Sequence, residues 1–488
     1  MQLLDLITIF IFALGIVIMG LSFSGKGRNM KSFFAAGGAV PWAMSGLSLF
    51  MGFFSAGTFV VWGSIAYSLG WIAISIQWTM AIAGFVVGFF IAPRWHKTSA
   101  LTVAEYITRR LGVNTQKTYT YLFLFISLFT TGSFLYPVAK IVEVSTGMPL
   151  DLCILLLGGF CIVYVAAGGL WAVVSTDVLQ FIILTAAVLI VVPLSFGRVG
   201  GVVNFIESIP ATYFNLVNGE YTIGFIIAFG VYNAIFLGGN WAYVQRYASV
   251  NSQSSARKVG FLFGGLYVVS AVLWMLPPMI YRIVNPSLST IDAEGAYLMM
   301  CKEVLPAGLL GLMLSGMVFA TASSLNATLN ISSGVVTNDI FKRLFPQSSD
   351  KTLMRVARIS TIIFGLLAII VALLIPLMGG IVNVVISVAA LTGVPLYLPI
   401  IWTLFSKRQT EYSVITTTLV SLGANAFFKF ITPLWGFGFN RAEEMIVGVA
   451  FPVFCLIAFE LYYKLNHKIS HRYVEYQEWE KENNCIKE

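Results

Sequence analysis

Charge is scarce in this chain. Asp, Glu, Lys and Arg make up 10% of its 488 residues, against 58% hydrophobic residues and a mean hydropathy of +0.86. A soluble globular domain carries about a quarter charged residues, so that class is excluded. Histidine is rarer still: only His96, His467 and His471 occur, all in hydrophilic segments, and they build neither a triad nor a metal cluster. The five cysteines follow no framework spacing. Cys153, Cys161 and Cys455 lie in apolar runs, with Cys301 and Cys485 outside them, so no disulfide scaffold is implied. No GxxxxGK[ST] loop occurs, and no hydrophilic stretch is long enough for a nucleotide-binding domain. Energy for any transport must then come from an ion gradient; otherwise the chain forms a passive channel. A channel is disfavoured because the polar residues converge on one depth and do not line a continuous path.

Long apolar runs are what the chain has instead. They predict an all-α polytopic membrane protein, since a β-barrel would show short alternating segments. Thirteen candidate spans lie near 4–22, 41–69, 71–93, 119–145, 150–168, 176–196, 222–243, 258–281, 306–337, 353–376, 380–404, 412–431 and 444–464. The first opens MQLLDLITIF with no basic segment before it and no small-residue cleavage site after it, so it reads as a retained helix. With the N-terminus outside, all but six of the 29 Lys and Arg fall in cytoplasmic segments, the six being Lys140, Arg198, Arg282, Lys302, Lys429 and Arg441. This asymmetry predicts a cytoplasmic C-terminus in a plasma membrane, the inner membrane in a bacterium. The net charge of +8 therefore reflects topology, and no basic soluble domain exists to bind nucleic acid.

With the first span set aside, the next ten divide into two sets of five. An odd number gives the sets opposite topology, and the first helix of each is interrupted by glycine: FMGFFSAGTF (Phe50 to Phe59) and FLGGNWAYVQR (Phe236 to Arg246). Paired interruptions at matching positions predict two broken helices around a solute site at mid-membrane, although glycine also serves close helix packing. The stretch FATASSLNATLNISSG, residues 319 to 334, crowds six Ser/Thr and two Asn into a membrane helix; each polar group needs protein, water or an ion as partner. Asp177, in GGLWAVVSTDVLQF, is essentially the only deep acid. It marks an ion path, or else caps a helix start.

These residues carry a resemblance. GLMLSGMVFATASSLNATLNISSGVVTNDIFKRLF (Gly311 to Phe345) resembles the eighth core helix of the sodium:solute symporter family, which includes sodium–glucose, proline and sialic acid symporters. GGLWAVVSTDVLQ is similar to its GG-x3-V-x2-TD-x2-Q signature, TVAEYITRRLG to its PEYLxxRFG segment, and NWAYVQRY to the QR end of its sixth core helix. The resemblance covers nearly the whole chain. It implies a LeuT-type 5+5 inverted repeat, with a leading helix and cytoplasmic loop in residues 1–40, the ten-helix transport core in 41–405, two peripheral helices in 406–464 and a short cytoplasmic tail in 465–488.

The resemblance also implies site residues. A sodium ion at the family's Na2 site would be held by the carbonyls of Met51, Phe54 and Ala320 and the hydroxyls of Ser323 and Ser324. Oxygen ligands from an unwound helix suit this hard cation. A second sodium would use Asp177 and Asn326, but Ala327 offers no hydroxyl there, so one ion per cycle is expected and Asp177 is expected to line the exit path. Solute contacts are implied at Phe53, Ser55, Gly57, Thr58, Gln77, Ser133, Asn240, Asn383 and Ile386. Their neutral, amide- and hydroxyl-bearing character implies sodium-coupled import of a sugar or related polyol by a protein that works as a monomer in the bilayer. A small carboxylate or other non-sugar metabolite is the alternative substrate, and a sensor that binds solute without moving it is the alternative role. No enzymatic activity is expected.

Overall fold

Hydrocarbon offers no partner for backbone amides, and every regular element among the described residues is a helix. The computed structural model describes residues 2–24, 40–100, 102–164 and 170–485. In chain order α1 (Leu3–Ser24) leads, followed by α2 (Trp42–Met51), a π-turn at Thr58–Trp62 and α3 (Gly63–Leu69). Then come α4 (Ile72–Val86), α5 (Ala92–Lys97) and α6 (Val103–Leu111). Three long helices follow: α7 (Val113–Thr146), α8 (Leu150–Tyr164) and α9 (Leu170–Arg198). The second half starts with α10 (Ile223–Gly239), α11 (Trp241–Ala248) and α12 (Gln253–Val284). It continues through α13 (Leu309–Gly334), α14 (Asp350–Leu374), α15 (Ile381–Val388) and α16 (Val394–Thr403). The chain closes with α17 (Glu411–Ala426), α18 (Arg441–Leu465) and α19 (His471–Cys485).

Both interruptions expected from the glycines are present. The first helix unwinds over residues 52–55, between α2 and the π-turn. The second bends by 60° at Asn240, between α10 and α11. Ser45 Oγ on α2 donates to the Arg246 carbonyl on α11 at 2.9 Å, so the two broken helices are tied together where they run side by side. Eight helices among the described residues are long and apolar enough to cross a membrane, or nine when the bent pair counts as one. Shorter apolar stretches such as Leu3–Phe12, Trp42–Met51 and Leu309–Thr321 fall at other expected crossings.

Helices cannot gain from the hydrophobic effect in lipid, so close backbone approach takes over. A Cβ on Gly260 of α12 would lie 2.6 Å from Gly88 Cα, and one on Gly84 of α4 would lie 2.8 Å from Gly264 Cα. The two small-xxx-small pairs thus face each other. The leading helix is fixed differently. Asp5 on α1 is buried, and its Oδ1 accepts from Gly308 N at 2.7 Å and Gly311 N at 3.1 Å, capping the free amides at the start of α13. This buried acid was missed because it stands so close to the start of its span.

Candidate ion and solute site

The two breaks open onto one cavity of about 880 Å³, including its mouth. Ser48, Met51 and Gly52 line it from the first break; Phe236, Asn240, Tyr243 and Arg246 line it from the second. One face of α7 contributes Phe123, Ser127, Thr130 and Phe134, and one face of α13 contributes Ala320, Ser324, Thr328 and Ile331. These spacings of three and four are those of a single helical stripe. Asp177 from α9 and Tyr397 from α16 complete the wall.

Why the backbone breaks here follows from the bonds around it. Ala56 N–H donates to Thr321 Oγ1 on α13 at 2.9 Å, where an unbroken helix would give it to Gly52. At the second break, Asn240 caps α11 by accepting from Ala242 N at 3.0 Å. The carbonyl that Ala242 would have served, Gly238 O, takes Trp95 Nε1 at 2.7 Å instead. Tyr247 Oη donates to Leu237 O at 3.2 Å. Gly238 and Gly239 are also crowded, since a Cβ on either would come within 2.7 Å of Ile91 or Tyr397. Packing and breaking are both served.

Of the sodium ligands implied by the resemblance, Met51, Ala320 and Ser324 line the cavity. Phe54 is buried beside it, its ring 4.7 Å from Trp274. The side chains of Ser323 and Asn326 lie outside the described residues. Ser324 Oγ lies 3.5 Å from Ala320 O and Thr328 Oγ1 donates to Ser324 O at 3.1 Å, so some hydroxyls of this stretch turn back on their own helix. Others reach across: Thr321 meets Ala56, and Ser332 Oγ meets Ser127 Oγ at 3.0 Å. Asp177 lies inside α9, two turns past its start at Leu170, which removes the helix-cap alternative. Its Oδ2 accepts from Ser48 Oγ at 2.6 Å.

Among the implied solute contacts, Asn240 lines the cavity, and its Nδ2 lies 3.4 Å from Tyr397 Oη. The others stand off it. Phe53 packs its ring 5.0 Å from Tyr243. Ser55 and Thr58 are buried, with Thr58 Oγ1 bonded to the Phe53 carbonyl. Gln77 is buried on α4 with its Nε2 unpartnered. Ser133 bonds Phe129 O at 2.9 Å, one position round α7 from Phe134. Asn383 reaches back to Met378 O at 2.9 Å. Arg246 was grouped with the loop charges, yet it is only 8% exposed and lines the cavity, because α11 runs on for two turns beyond the bend.

The opposite end is sealed. Phe54 packs at a tilt on Trp274, and Phe59 on Tyr297 with centroids 4.2 Å apart. Beyond them Glu294 is 3% exposed. Its Oε1 accepts from Ile381 N, at the start of α15, at 2.9 Å, and its Oε2 accepts from Tyr136 Oη on α7 at 2.8 Å. Burial pushes this carboxyl above the ordinary glutamate range, more strongly than those bonds and nearby Lys140 pull it down. Lys140 pairs with Glu143, three residues on along the same helix face, at 2.8 Å.

Two broken helices thus share one cavity with polar groups in its wall, and the sequence comparison decides what it serves. The family model described as Sodium:solute symporter family matches residues 33–420. The chain belongs to that family. It is accordingly a sodium-coupled solute symporter and a multi-pass membrane protein, and not an enzyme; solute and sodium are its partners. The symporter is 28% identical over 472 residues to the sodium/glucose cotransporter of Vibrio parahaemolyticus, covering 88% of this chain and 86% of that one. It is 27% identical over 469 residues to sodium/myo-inositol cotransporter 2 of Sus scrofa, covering 86% and 68%. Its fold is that of a Na+-coupled sialic acid symporter solved in a substrate-bound outward-open state, with a TM-score of 0.78 at 21% identity over 94% of this chain and 98% of that one. A nucleobase-cation-symport-1 family transporter aligns more distantly, with a TM-score of 0.55 at 15% identity over 92% and 99%.

Proposed function

We propose that this symporter imports a sugar or polyol together with one sodium ion by alternating access. The observation that carries this reading is the shared cavity, in which Met51, Ala320 and Ser324 stand beside Asn240 and Asp177. The relatives named for glucose and myo-inositol support a polyhydroxylated solute. Sodium sits between the Met51, Phe54 and Ala320 carbonyls and the Ser323 and Ser324 hydroxyls. Asp177 lines its way out, with Asn326 too weak a partner to complete a second site. Solute is held by Asn240 from the cavity wall, and by Phe53, Ser55, Thr58, Gln77, Ser133 and Asn383 as the two ends exchange. An unpaired buried amide such as that of Gln77 costs about 1–3 kcal/mol until something bonds it, which suits a group that meets solute in another state.

The same proposal places the N-terminus outside, the C-terminus in the cytoplasm and thirteen helices across a bacterial inner membrane. The core spans 41–405, and one protomer suffices. The test is uptake of labelled glucose and myo-inositol into proteoliposomes with an inward sodium gradient, and again with potassium at matched pH. Uptake of either solute should require sodium. Equal uptake in potassium overturns the coupling, and sodium-driven uptake of a small carboxylate alone overturns the sugar reading.

A further inference from the structure

The tail helix α19 docks on the hydrophilic segment between α4 and α7. Ser470 N, just before it, donates to Lys407 O at 3.1 Å. Arg109 on α6 lies 4.0 Å over the Trp479 ring, and Arg110 lies 5.0 Å over Tyr473. Such cation–π contacts hold a helix on a polar surface at modest strength. Arg110 is 1% exposed and donates to Ser406 O at 3.0 Å, so the segment is also fastened to the connection between α16 and α17.

From there the contacts lead inward. Tyr476, buried on the inner face of α19, sets its ring 5.9 Å from Tyr106 on α6. Tyr106 lies edge-on to Trp95 on α5 with centroids 5.1 Å apart, and its Oη meets Thr403 Oγ1 at 2.9 Å. Trp95 is 2% exposed, and its indole N–H is the donor that serves the Gly238 carbonyl at the bend of the second broken helix. In the bent helix that carbonyl has lost Ala242 N, which Asn240 occupies. Straightening or re-bending the helix changes the demand of Gly238 for an outside donor, so the Trp95 bond belongs to particular bend angles.

We infer that Trp95 is a positioning residue for the bend at Asn240, and that α19 sets its position through Tyr476 and Tyr106. The tail thereby biases the symporter toward the bent state that forms this cavity. This inference deepens the alternating-access reading and rests on it. Spatial succession alone does not establish coupling; a double-mutant cycle does.

The test labels the thiol introduced by Thr328→Cys, on the cavity wall, in a chain whose native cysteines are replaced by alanine. In the parent, sodium should slow labelling by a membrane-permeant maleimide, and no response to sodium counts against alternating access itself. Trp95→Phe, which keeps a ring but loses the N–H, should slow labelling at least threefold without sodium. Tyr476→Ala should slow it by a smaller factor, while Tyr476→Phe should restore the parent rate. The double variant should be no slower than Trp95→Phe alone. Multiplying effects, or a folded Trp95→Phe protein with the parent rate, overturn the inference. If Trp95→Phe gives no monodisperse protein, the Tyr476→Ala and Tyr476→Phe pair decides alone.

Discussion

At one end of the core lies a cavity whose wall mixes aromatic rings with hydroxyls, an amide, Asp177 and Arg246. At the other, rings pack from Phe54 to Tyr297 and a buried glutamate joins α7, α15 and the segment before the short helix Ala296–Val304. The cavity end is held by dispersed single bonds, such as Trp95 to Gly238, Ser45 to Arg246 and Ser48 to Asp177. The sealed end gathers two good bonds on one desolvated carboxyl. A transporter must exchange these roles, so the seal should be strong but concentrated, removable in one step when few bonds break together. The difference between many dispersed contacts and one focused latch is what mutation can test.

The largest effect is expected at the latch. Glu294→Ala leaves the Ile381 amide and the Tyr136 hydroxyl without their partner and opens a void, which should cost about 2–4 kcal/mol. Glu294→Gln retains an acceptor for Ile381 and should cost less than about 1.5 kcal/mol. Thermal unfolding in detergent measures both, and equal losses would mean that the latch is only packing. Next comes the cavity end. Ser324→Ala with Ser323→Ala should raise the sodium concentration for half-maximal uptake about tenfold or more, since each hydroxyl removed from a hard cation must be replaced by water. An unchanged requirement would place the ion elsewhere.

Asp177→Asn should act more gently. It keeps a group able to meet Ser48 but removes the charge, so turnover should fall several-fold while the Hill coefficient for sodium stays near one, as expected for an exit-path residue. A wild-type coefficient near two that drops to one would restore a second sodium site. The smallest effect is the pH dependence of the latch. Burial raises the Glu294 carboxyl above its unfolded value, so the folded state binds the proton more tightly. Its stabilising contribution is full below the unfolded value and is lost as pH rises through the folded one. The groups around it are Tyr136, the Lys140–Glu143 pair and the Ile381 amide. The slope cannot exceed about 1.4 kcal/mol per pH unit for one proton, and Glu294→Gln should flatten it.

Much of the fold was legible because oil imposes so few solutions. The glycine pairs at 52/57 and 238/239 announced the two breaks, and Asp177 announced itself by being charged. Asn240, implied as a solute contact by the resemblance, lines the cavity because it stands at the bend. Phe53, Ser55 and Ser133 stand away from the cavity because wall membership depends on helix rotation, and a turn of about 100° moves a residue from wall to packing. Ser133 and Phe134 differ by that one step. Aromatic lining from Phe123, Phe236, Tyr243 and Tyr397 could not be told from core, since rings fill both. Arg246 was misfiled with the loop charges because the length of α11 beyond its bend is set by tertiary contacts such as Trp95 to Gly238 and Tyr247 to Leu237.

The cap that Asp5 makes on α13 has a consequence in time. The two partners are 303 residues apart along the chain. At a synthesis rate of roughly 5–20 residues per second, α1 waits about 15–60 seconds after emerging before Gly308 exists. Throughout that interval the carboxylate serves only the Gln2 amide at the head of its own helix, through Oδ2 at 2.8 Å, and its Oδ1 lacks the amides of α13. The leading helix therefore gains its partners on α13 only when that helix arrives. Release of the nascent chain anywhere before Gly308 would leave Oδ1 of Asp5 without those partners.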